Sequence, residues 1–337
     1  MKHLLTAVIA ATFATAATAQ DGELDKVVMG TNWLAQGGHG GFYQALADGT
    51  YEDYGLDVEI MMGGPQMNNR PMLAAGRLDF LMAGNLLLSF DNVRNDIPTT
   101  VVAAFFQKDP QALMAHAGQY EDFEALTEAP TVLISKDGQF SFWQWLTSAK
   151  GFRDEQLRPY GYNLAQFLGD EAMVQQAYAT AEPIYAGAEG AEVDVFLLAD
   201  QGWNTYSTTI ETRAELVEND PDLVQRFINA SIEGWYNFLY GDRTAAYEAI
   251  MEANPDMTVA KLEKEMAQFQ KLEIIDSGNA LEKGIGAMSE ERIAAFHDLA
   301  VEAGIIEAGE VDLSKVATTQ FVNKGHGLEI KQRLMSN

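Results

Sequence analysis

The chain has 337 residues, which at about 150 residues per domain indicates roughly two domains. Hydrophobic residues make up 47% and charged residues 21% of the chain, a balance typical of globular proteins and not of disordered ones. The 49 acidic and 22 basic residues give a net charge of −27, which disfavours nucleic acid and anionic lipid surfaces as partners. Because the chain has no cysteine, disulfides, thiolate metal sites and thiol nucleophiles are excluded.

The N-terminus has the pattern of an export signal. Lys2 and His3 give a basic start, residues 4–17 are apolar or small, and residues 17–19 (ATA) match the A-x-A cleavage pattern. We expect residues 1–19 to be a signal peptide, cut before Gln20; the alternative is a buried N-terminal helix. No later stretch reaches about 18 uninterrupted apolar residues, so we expect no membrane span. The sequence therefore predicts an exported, periplasmic protein.

From residue 25 onwards, short apolar runs alternate with helical segments. The first series predicts strands at 26–33, 56–62, 78–83 and 99–106, and helices at 42–47, 68–76 and 86–93. The second series predicts strands at 112–116, 130–135 and 193–198, and helices at 140–149 and 164–179. Strands that alternate with helices predict βαβ units and mainly parallel sheets.

Beyond residue 202 the pattern becomes helical. Asp220 and Pro221 form a good helix start, with Asp as N-cap and Pro in the first turn, and apolar residues follow at helical spacing up to Trp235. Further helices are predicted at 244–253, 259–272 and 290–303. Two similar α/β stretches followed by helices, without a linker, indicate two lobes joined by more than one crossover.

Motifs for catalysis and metal binding are absent from the sequence. The glycine-rich turn at 37–41 (GGHGG) is neither a dinucleotide-binding nor a phosphate-binding loop, the five histidines show no HExxH spacing, and no GxSxG is present. Glycines before a helix let a ligand approach the backbone, but a tight connection without a ligand explains them equally well. His39 in this turn is either a ligand donor or a packed histidine.

Aromatic residues gather at the ends of predicted strands and the starts of predicted helices. Ligands bind at the carboxyl ends of strands in α/β sheets, so a flat ring could stack there, with amides and a carboxylate on its edge. Core packing is the alternative for each single aromatic, and for Trp145 and Trp235 it is favoured. The aromatic residues concerned are Trp33, Tyr43, Phe105, Phe106, Phe140, Trp143, Trp145, Trp203 and Tyr206.

Several segments resemble the periplasmic substrate-binding proteins of ABC importers, in the branch shared by sulfonate- and nitrate-type binders and by binders of thiamine pyrimidine precursors. The resemblance covers about residues 25–250. It rests on TNWL at 31–34, HGGFYQA at 39–45, YGLDVEI at 54–60, GGP at 63–65, LDF at 78–80, Gly84-Asn85 and Glu182-Pro183.

The resemblance implies a two-lobed α/β fold of the type II periplasmic binding protein kind, in which a hinge closes the lobes on a small solute. Each lobe has a central, mainly parallel sheet flanked by helices, and the C-terminal part is helical. We expect lobe one to hold residues 20–107 and 204–337, and lobe two to hold residues 108–203.

The resemblance also implies the residues that line the ligand pocket, without a catalytic residue, cofactor or metal. Trp33 matches a tryptophan that lines the ring in the pyrimidine-precursor branch, and Glu182 is placed to accept from a ring N–H, although without the family it is equally a surface acid. The eight implied ligand-binding residues are Trp33, His39, Tyr43, Asn85, Gln107, Phe140, Trp143 and Glu182.

The sequence thus predicts a non-enzymatic, monomeric solute-binding component of an ABC importer, with a membrane permease as partner and no nucleic acid. We expect a thiamine pyrimidine precursor or a related nitrogen heterocycle as ligand, because few basic residues fall on the predicted cleft loops. Arg70 is the main exception. A sulfonate- or nitrate-type anion binder is the alternative, since helix N-termini bind anions without Lys or Arg. A pyrimidine-biosynthesis enzyme on the same fold is disfavoured, because fungal synthases of this branch use a cysteine-rich motif. A sensor subunit fits the sequence as well as an importer does.

Overall fold

The structure, a computed structural model, describes residues 23–64, 67–161 and 163–336. The predicted signal peptide 1–19 lies outside these residues. The described residues form two five-stranded sheets flanked by helices. The strands are β1 (Asp25–Gly30), β2 (Leu56–Met61), β3 (Phe80–Met82), β4 (Thr99–Phe106), β5 (Gln111–His116), β6 (Val132–Ile134), β7 (Leu157–Pro159), β8 (Val174–Tyr178), β9 (Val193–Leu197) and β10 (Ser207–Arg213).

Both sheets follow one plan, in which a single strand opposes the other four. The first sheet has the order β2-β1-β3-β10-β4; β1 pairs in parallel with β2 and β3, and β10 runs antiparallel to β3 and β4. The second sheet has the order β7-β6-β8-β5-β9; β6 pairs in parallel with β7 and β8, and β5 runs antiparallel to β8 and β9. The α/β class is therefore confirmed, and each sheet is mixed, with four strands in one direction and one strand opposed to them.

The two sheets divide the chain as a discontinuous and a continuous part. Strands of the first sheet come from residues 25–106 and 207–213, whereas those of the second come from residues 111–197. The chain thus crosses between the sheets at 107–110 and again at 198–206. The boundaries of the predicted lobes, 108–203 against 20–107 and 204–337, stay predictions, and the division between the sheets is compatible with them.

Helices surround the sheets and make up most of the chain beyond β10. The helices are α1 (Gly40–Ala47), α2 (Thr50–Asp53), α3 (Arg70–Ala74), α4 (Leu86–Arg94), α5 (Lys136–Gln139), α6 (Phe142–Ala149), α7 (Ala165–Gly169), α8 (Glu182–Ala188), α9 (Ala214–Asn219), α10 (Pro221–Tyr240), α11 (Thr244–Ala253), α12 (Val259–Lys271), α13 (Ala280–Lys283), α14 (Glu290–Glu302), α15 (Leu313–Val316) and α16 (Leu328–Met335). Among the described residues, no helix is both long and apolar enough to cross a bilayer.

Three strands, β7, β8 and β10, escape the hydrophobic pattern. Residues 164–179, predicted as one helix, contain α7 and then β8, which lies between β6 and β5 at the centre of the second sheet. Gln175 and Gln176 are buried there, and Gln176 Oε1 accepts a hydrogen bond of 2.6 Å from the Ser135 N–H. The helical prediction is wrong because residues 174–178 pair with β5 and β6, and the hydrophobic pattern does not report this pairing with distant segments. The threonine-rich β10, also unpredicted, is buried between β3 and β4.

Helix α1, which follows the glycine-rich turn, packs closely on α10. A Cβ on Gly41 would lie 2.2 Å from the ring of the fully buried Trp235, and a Cβ on Gly234 would lie 2.2 Å from the Gly41 carbonyl oxygen. Asp220 caps α10 by accepting from the Leu223 N–H at 3.0 Å, as the sequence predicts. The packing of α1 on α10 fixes the start of α1, and with it the glycine-rich turn that reaches the cleft.

Candidate functional site

A cavity of about 680 Å³, including its part open to solvent, lies between the two sheets. Its walls are formed where strands of both sheets reach their carboxyl ends, after β1, β3 and β4 on one side and after β6 and β8 on the other. The lining residues are Asn32, Trp33, Gln36, Gly38, His39, Met82, Gly84, Asn85, Leu88, Asp109, Gln111, Ser135, Asp137, Gly138, Ser141, Phe142, Gln176, Tyr178 and Glu182.

His39 presents a fixed hydrogen-bond donor to this cavity. Its Nδ1 accepts from the Gln36 N–H at 3.3 Å, so the ring proton of the neutral imidazole resides on Nε2. Burial lowers the pKa of His39 to about 4, so the ring is neutral at physiological pH. Its Nε2 is buried and has no hydrogen-bond partner among the described residues. A ligand atom that accepts a hydrogen bond would satisfy it.

Glu182 is an almost completely buried carboxyl at the start of α8. Its Oε2 accepts from the Tyr178 N–H at 2.8 Å, and its Oε1 accepts from the Tyr160 hydroxyl at 3.2 Å. Desolvation raises the pKa of Glu182 to about 7 despite these hydrogen bonds. An N–H donor from a ligand would stabilise the ionised form.

Two further carboxyls stand in the wall. Asp109 lies on the segment after β4 and accepts from the Gln111 N–H at 3.2 Å, while Asp137 lies in α5 after β6. Burial raises the pKa of each of these side chains to about 6. Three acidic groups therefore face one cavity from three different strand ends.

In the part of the chain that the structure describes, the lining includes no lysine and no arginine. Arg70, the basic residue singled out from the sequence, lies outside this lining, and its Nη2 donates to the Leu88 carbonyl oxygen at 2.5 Å and to Asn92 Oδ1. Arg70 still acts to lower the pKa of Asp137, although burial is the larger cause and raises it. The cavity lining thus offers carboxylates and neutral polar groups to a ligand. The cations that act on it lie outside the lining: Arg70 and Lys136 act on Asp137, and Arg292 acts on Asp109.

The aromatic wall consists of Trp33, Phe142 and Tyr178. The Trp33 ring lies 5.9 Å from the ring of Tyr160, centroid to centroid, at an interplanar angle of 31°. Since Tyr160 also donates to Glu182, the indole and the carboxyl are held by the same neighbour. A flat ring stacked on Trp33 could therefore have its edge close to a carboxyl.

Asn85 combines a structural contact with a place in the cavity wall. It is the N-cap of α4, and its Oδ1 accepts from the Leu87 N–H at 3.1 Å. This cap leaves the amide NH₂ as the part of the side chain that could serve a ligand. The structure thus brings four of the eight predicted residues to one cavity: Trp33, His39, Asn85 and Glu182.

Tyr43 and Gln107 do not line the cavity. Tyr43 lies on α1 with its ring buried in the main hydrophobic core, because the helix turns that face towards α10 and α11. Gln107 Nε2 donates to the carbonyl oxygens of Ala104 and Ala287, at 3.1 and 2.8 Å. Both residues support the walls from behind.

Phe140 and Trp143 also lie outside the lining. Phe140 follows α5 and is 42% exposed. Trp143 is buried on the other side of α6, where its Nε1 donates to Asp154 Oδ1 at 2.9 Å and its ring packs against Phe152. Phe142, between them in sequence, turns its ring to the cavity instead. The helical geometry of α6 points neighbouring side chains in different directions, so the aromatic run could not identify the ring that faces the ligand.

Sequence reasoning missed Asp109, Asp137, Gln176 and Tyr178. The first two follow strands that were predicted, so the rule that ligands bind at carboxyl ends of strands could have found them. The other two lie on β8, within the segment that was predicted as a helix. Without the strand, nothing in the sequence indicated that they reach the cleft.

Solved structures share the fold at low sequence identity. The alkanesulfonate-binding protein SsuA from Xanthomonas axonopodis pv. citri, bound to MOPS, is 12% identical with a TM-score of 0.63, covering 88% of this chain and 99% of that chain. The nitrate-binding protein NrtA from Synechocystis PCC 6803 is 14% identical with a TM-score of 0.57, covering 94% and 90%. The desulfurization enzyme DSZB shares the fold too, at 13% identity and a TM-score of 0.56, covering 90% and 99%.

Sequence comparison adds a relative and a family. The riboflavin-binding protein RibY from Chloroflexus aurantiacus is 24% identical over 237 residues, 68% of this chain and 66% of that protein, so the match spans just under two thirds of the relative's length. Residues 36–240, more than half of the chain, match the family described as NMT1/THI5 like. With its two mixed sheets and cleft, the chain therefore belongs to the NMT1/THI5-like family and has the periplasmic binding protein fold.

Proposed function

We propose that this protein is the exported solute-binding component of an ABC importer and that it captures a small nitrogen heterocycle in the cavity between its sheets. The single observation that carries the ligand class is the cavity wall itself, with the buried Asp109 and Glu182, the half-buried Asp137, one neutral histidine donor, and no lysine or arginine among its described residues. The export pattern of residues 1–19 supports a periplasmic location. The family and the fold support binding without chemical change of the ligand.

A thiamine pyrimidine precursor has the complementary chemistry. Its amine N–H groups can donate to Glu182, Asp109 or Asp137, and its ring nitrogen can accept from His39 Nε2. Its flat ring can stack on Trp33. The isoalloxazine of riboflavin, named in the description of RibY, carries an N–H donor next to carbonyl acceptors and fits the same set of groups.

A sulfonate- or nitrate-type anion is the weaker candidate. The structures of SsuA and NrtA support it, because these proteins are described as binding such anions. The charge of the cavity opposes it, since carboxylates repel an anion and no lining cation offsets them. A protonated wall would remove this repulsion, so an anion should bind only at acidic pH.

Calorimetric titration of the mature protein distinguishes these ligands. The panel is 4-amino-5-hydroxymethyl-2-methylpyrimidine, riboflavin, an alkanesulfonate and nitrate, each at pH 5.5 and pH 7.5. We expect the pyrimidine or riboflavin to bind and to be recovered unchanged by mass spectrometry. Binding of the anions alone at pH 7.5 would contradict the proposed ligand class, and turnover of the bound ligand would contradict the binding role.

The alternative of a pyrimidine-metabolism enzyme on the same fold has DSZB as a structural example of catalysis. Incubation of the protein with the pyrimidine and with added iron or zinc, followed by product analysis, tests it.

Import and sensing differ in the membrane partner, so co-purification with a permease supports import and co-purification with a receptor kinase supports sensing. We propose a permease partner and a monomeric state; sedimentation of the mature chain tests the latter.

A further inference from the structure

Glu265 of α12 connects two segments that belong to opposite sheets. Its Oε1 accepts a hydrogen bond from the hydroxyl of Tyr185, on α8 beside the second sheet. Its Oε2 accepts from the Gly37 N–H at 2.6 Å, in the turn that follows the first sheet's β1. The carboxyl is 1% exposed, so both hydrogen bonds are shielded from water.

The surroundings of Glu265 are built around this contact. A Cβ on Gly37 would lie 2.4 Å from Glu265 Oε2, so only glycine lets the turn approach the carboxyl this closely. The Tyr185 hydroxyl also lies 3.7 Å from Met257 Sδ, and Lys261 Nζ lies 5.0 Å from the Tyr185 ring centroid. Residues of the C-terminal helical part thus enclose Tyr185, which belongs to the segment of the chain that forms the second sheet.

Both segments joined by Glu265 continue into the cavity. Glu182 lies one helical turn before Tyr185 on α8, and Gly38 and His39 follow Gly37 in the turn. Charge couples the two sites as well, since Glu182 raises the pKa of Glu265, although burial is the larger cause. The other charged group acting on Glu265 is Lys261, which lowers its pKa.

We propose that Glu265 is a positioning residue that holds the two halves of the protein closed over the ligand by joining Tyr185 to Gly37. The inference rests on the proposed solute-binding function only for its link to ligand capture; the bridge between the halves stands on the described contacts. Breaking the bridge should open the cleft and shorten the residence of a ligand, without changing the groups that line the cavity.

The distance between the halves can be measured without any ligand. Because the chain has no cysteine, Ala149→Cys on α6 and Glu248→Cys on α11, both exposed, supply two unique positions for spin labels. Tyr185→Phe removes only the hydroxyl. We expect this variant to shift the interspin distance distribution towards longer or broader distances than the doubly labelled parent.

Tyr51→Phe is the matched control. Tyr51 is buried, and its hydroxyl bonds Ser231 Oγ at 2.9 Å within the first-sheet half, away from the cleft. The Tyr51→Phe variant loses a comparable buried hydrogen bond. A distance change in both variants would therefore indicate that the whole protein is less tightly packed. An unchanged distribution in Tyr185→Phe would overturn the proposed bridge, and so would a change of equal size in both variants.

A second readout uses 4-amino-5-hydroxymethyl-2-methylpyrimidine as the probe. Tyr185→Phe and Glu265→Gln should raise its dissociation rate by about tenfold, the effect of a lost hydrogen bond to a buried carboxyl, whereas Tyr51→Phe should leave it unchanged. If the probe fails to bind the parent protein, the proposed ligand is wrong, while the distance measurement still decides the bridge. If the probe binds and both bridge variants release it at the parental rate, the link to ligand capture is wrong.

Discussion

At the scale of single residues, Trp33 is the aromatic residue that sequence and structure both bring to the cleft. Its indole lines the cavity, whereas the other predicted aromatic residues Trp143 and Phe140 lie outside it. Truncation to alanine should remove the stacking surface and weaken binding of the heterocycle by about 1–3 kcal/mol, if the pocket is desolvated on closure. Titration calorimetry with the aminopyrimidine measures this effect.

Trp143→Phe is the control for Trp33→Ala. It keeps an aromatic ring but loses the hydrogen bond to Asp154, so it should lower the melting temperature while the Kd stays unchanged. Equal affinity of the parent and Trp33→Ala would remove Trp33 from the ligand site. A loss of affinity in Trp143→Phe alone would favour Trp143 as a ligand-binding residue, as the sequence predicts, over the residues that line the cavity.

The carboxyl of Glu182 makes binding depend on pH. Because burial raises its pKa to about 7, it is largely protonated at pH 5.5 and largely ionised at pH 8. The ionised form accepts N–H hydrogen bonds more strongly, so binding of the neutral aminopyrimidine should tighten as the pH rises through this window. Glu182→Gln should flatten this dependence, and Glu189→Gln, at an exposed position just after α8, should keep it. A pH profile that Glu182→Gln leaves intact would exclude Glu182 as its source.

At the scale of elements, the contact between α1 and α10 fixes the turn that carries His39. Alanine normally stabilises a helix relative to glycine, but a Cβ on Gly41 would overlap the buried Trp235 ring. We expect Gly41→Ala to destabilise the protein by about 1–3 kcal/mol, because a packed core accommodates added atoms poorly. Thermal or urea unfolding measures the change.

Gly169, the last residue of α7, provides the comparison. A Cβ there would meet no atom within 4 Å, so Gly169→Ala should be neutral or slightly stabilising. A Gly41→Ala variant as stable as the parent would mean that α1 and α10 can separate at little cost, and the turn would then be less firmly held than the packing indicates.

Elements with a clear hydrophobic period were predictable, and the two polar strands were not. The helix beginning at Pro221 and the strand at 99–106 appear where the pattern places them, because apolar spacing reports which face is buried. Strand β8 carries two glutamines and β10 carries four threonine or serine residues in STTIETR. Their burial is possible because neighbouring strands satisfy the backbone polar groups, which is information from other parts of the chain.

At the scale of the whole molecule, buried carboxyls make stability depend on pH. The folded-state pKa values of Asp109, Asp137, Glu182 and Glu265 are raised to about 6, 6, 7 and 8, above the ordinary values of 3.8 for Asp and 4.5 for Glu. Above pH 4.5 the unfolded chain ionises these groups while the folded chain still holds their protons. The contribution of these four groups to stability is therefore greatest below that pH and declines as the pH rises towards 8.

Melting temperatures between pH 5 and pH 8.5 check this expectation. The parent should lose stability across the range. Glu182→Gln should lose less, because an amide does not titrate and one of the four contributing carboxyls is then gone. Glu189→Gln again serves as the control, since its exposed side chain should leave the slope unchanged. A stability that rises with pH throughout this window would contradict the raised pKa values.

The sequence by itself determined the fold class, the export pattern and the segments that resemble the binding-protein branch, because these depend on local order: apolar spacing, turn residues and short motifs. That resemblance also indicated four residues that line the cavity, and their role in binding stays a prediction. The tertiary structure alone decided that Asp109, Asp137, Gln176 and Tyr178 share a cavity with Trp33 and Glu182, and that Phe142 faces the cavity while Trp143 does not. Strand pairing sets which strand ends meet, and helix rotation sets which side chain points inward. Both follow from contacts between distant segments, which no local pattern contains.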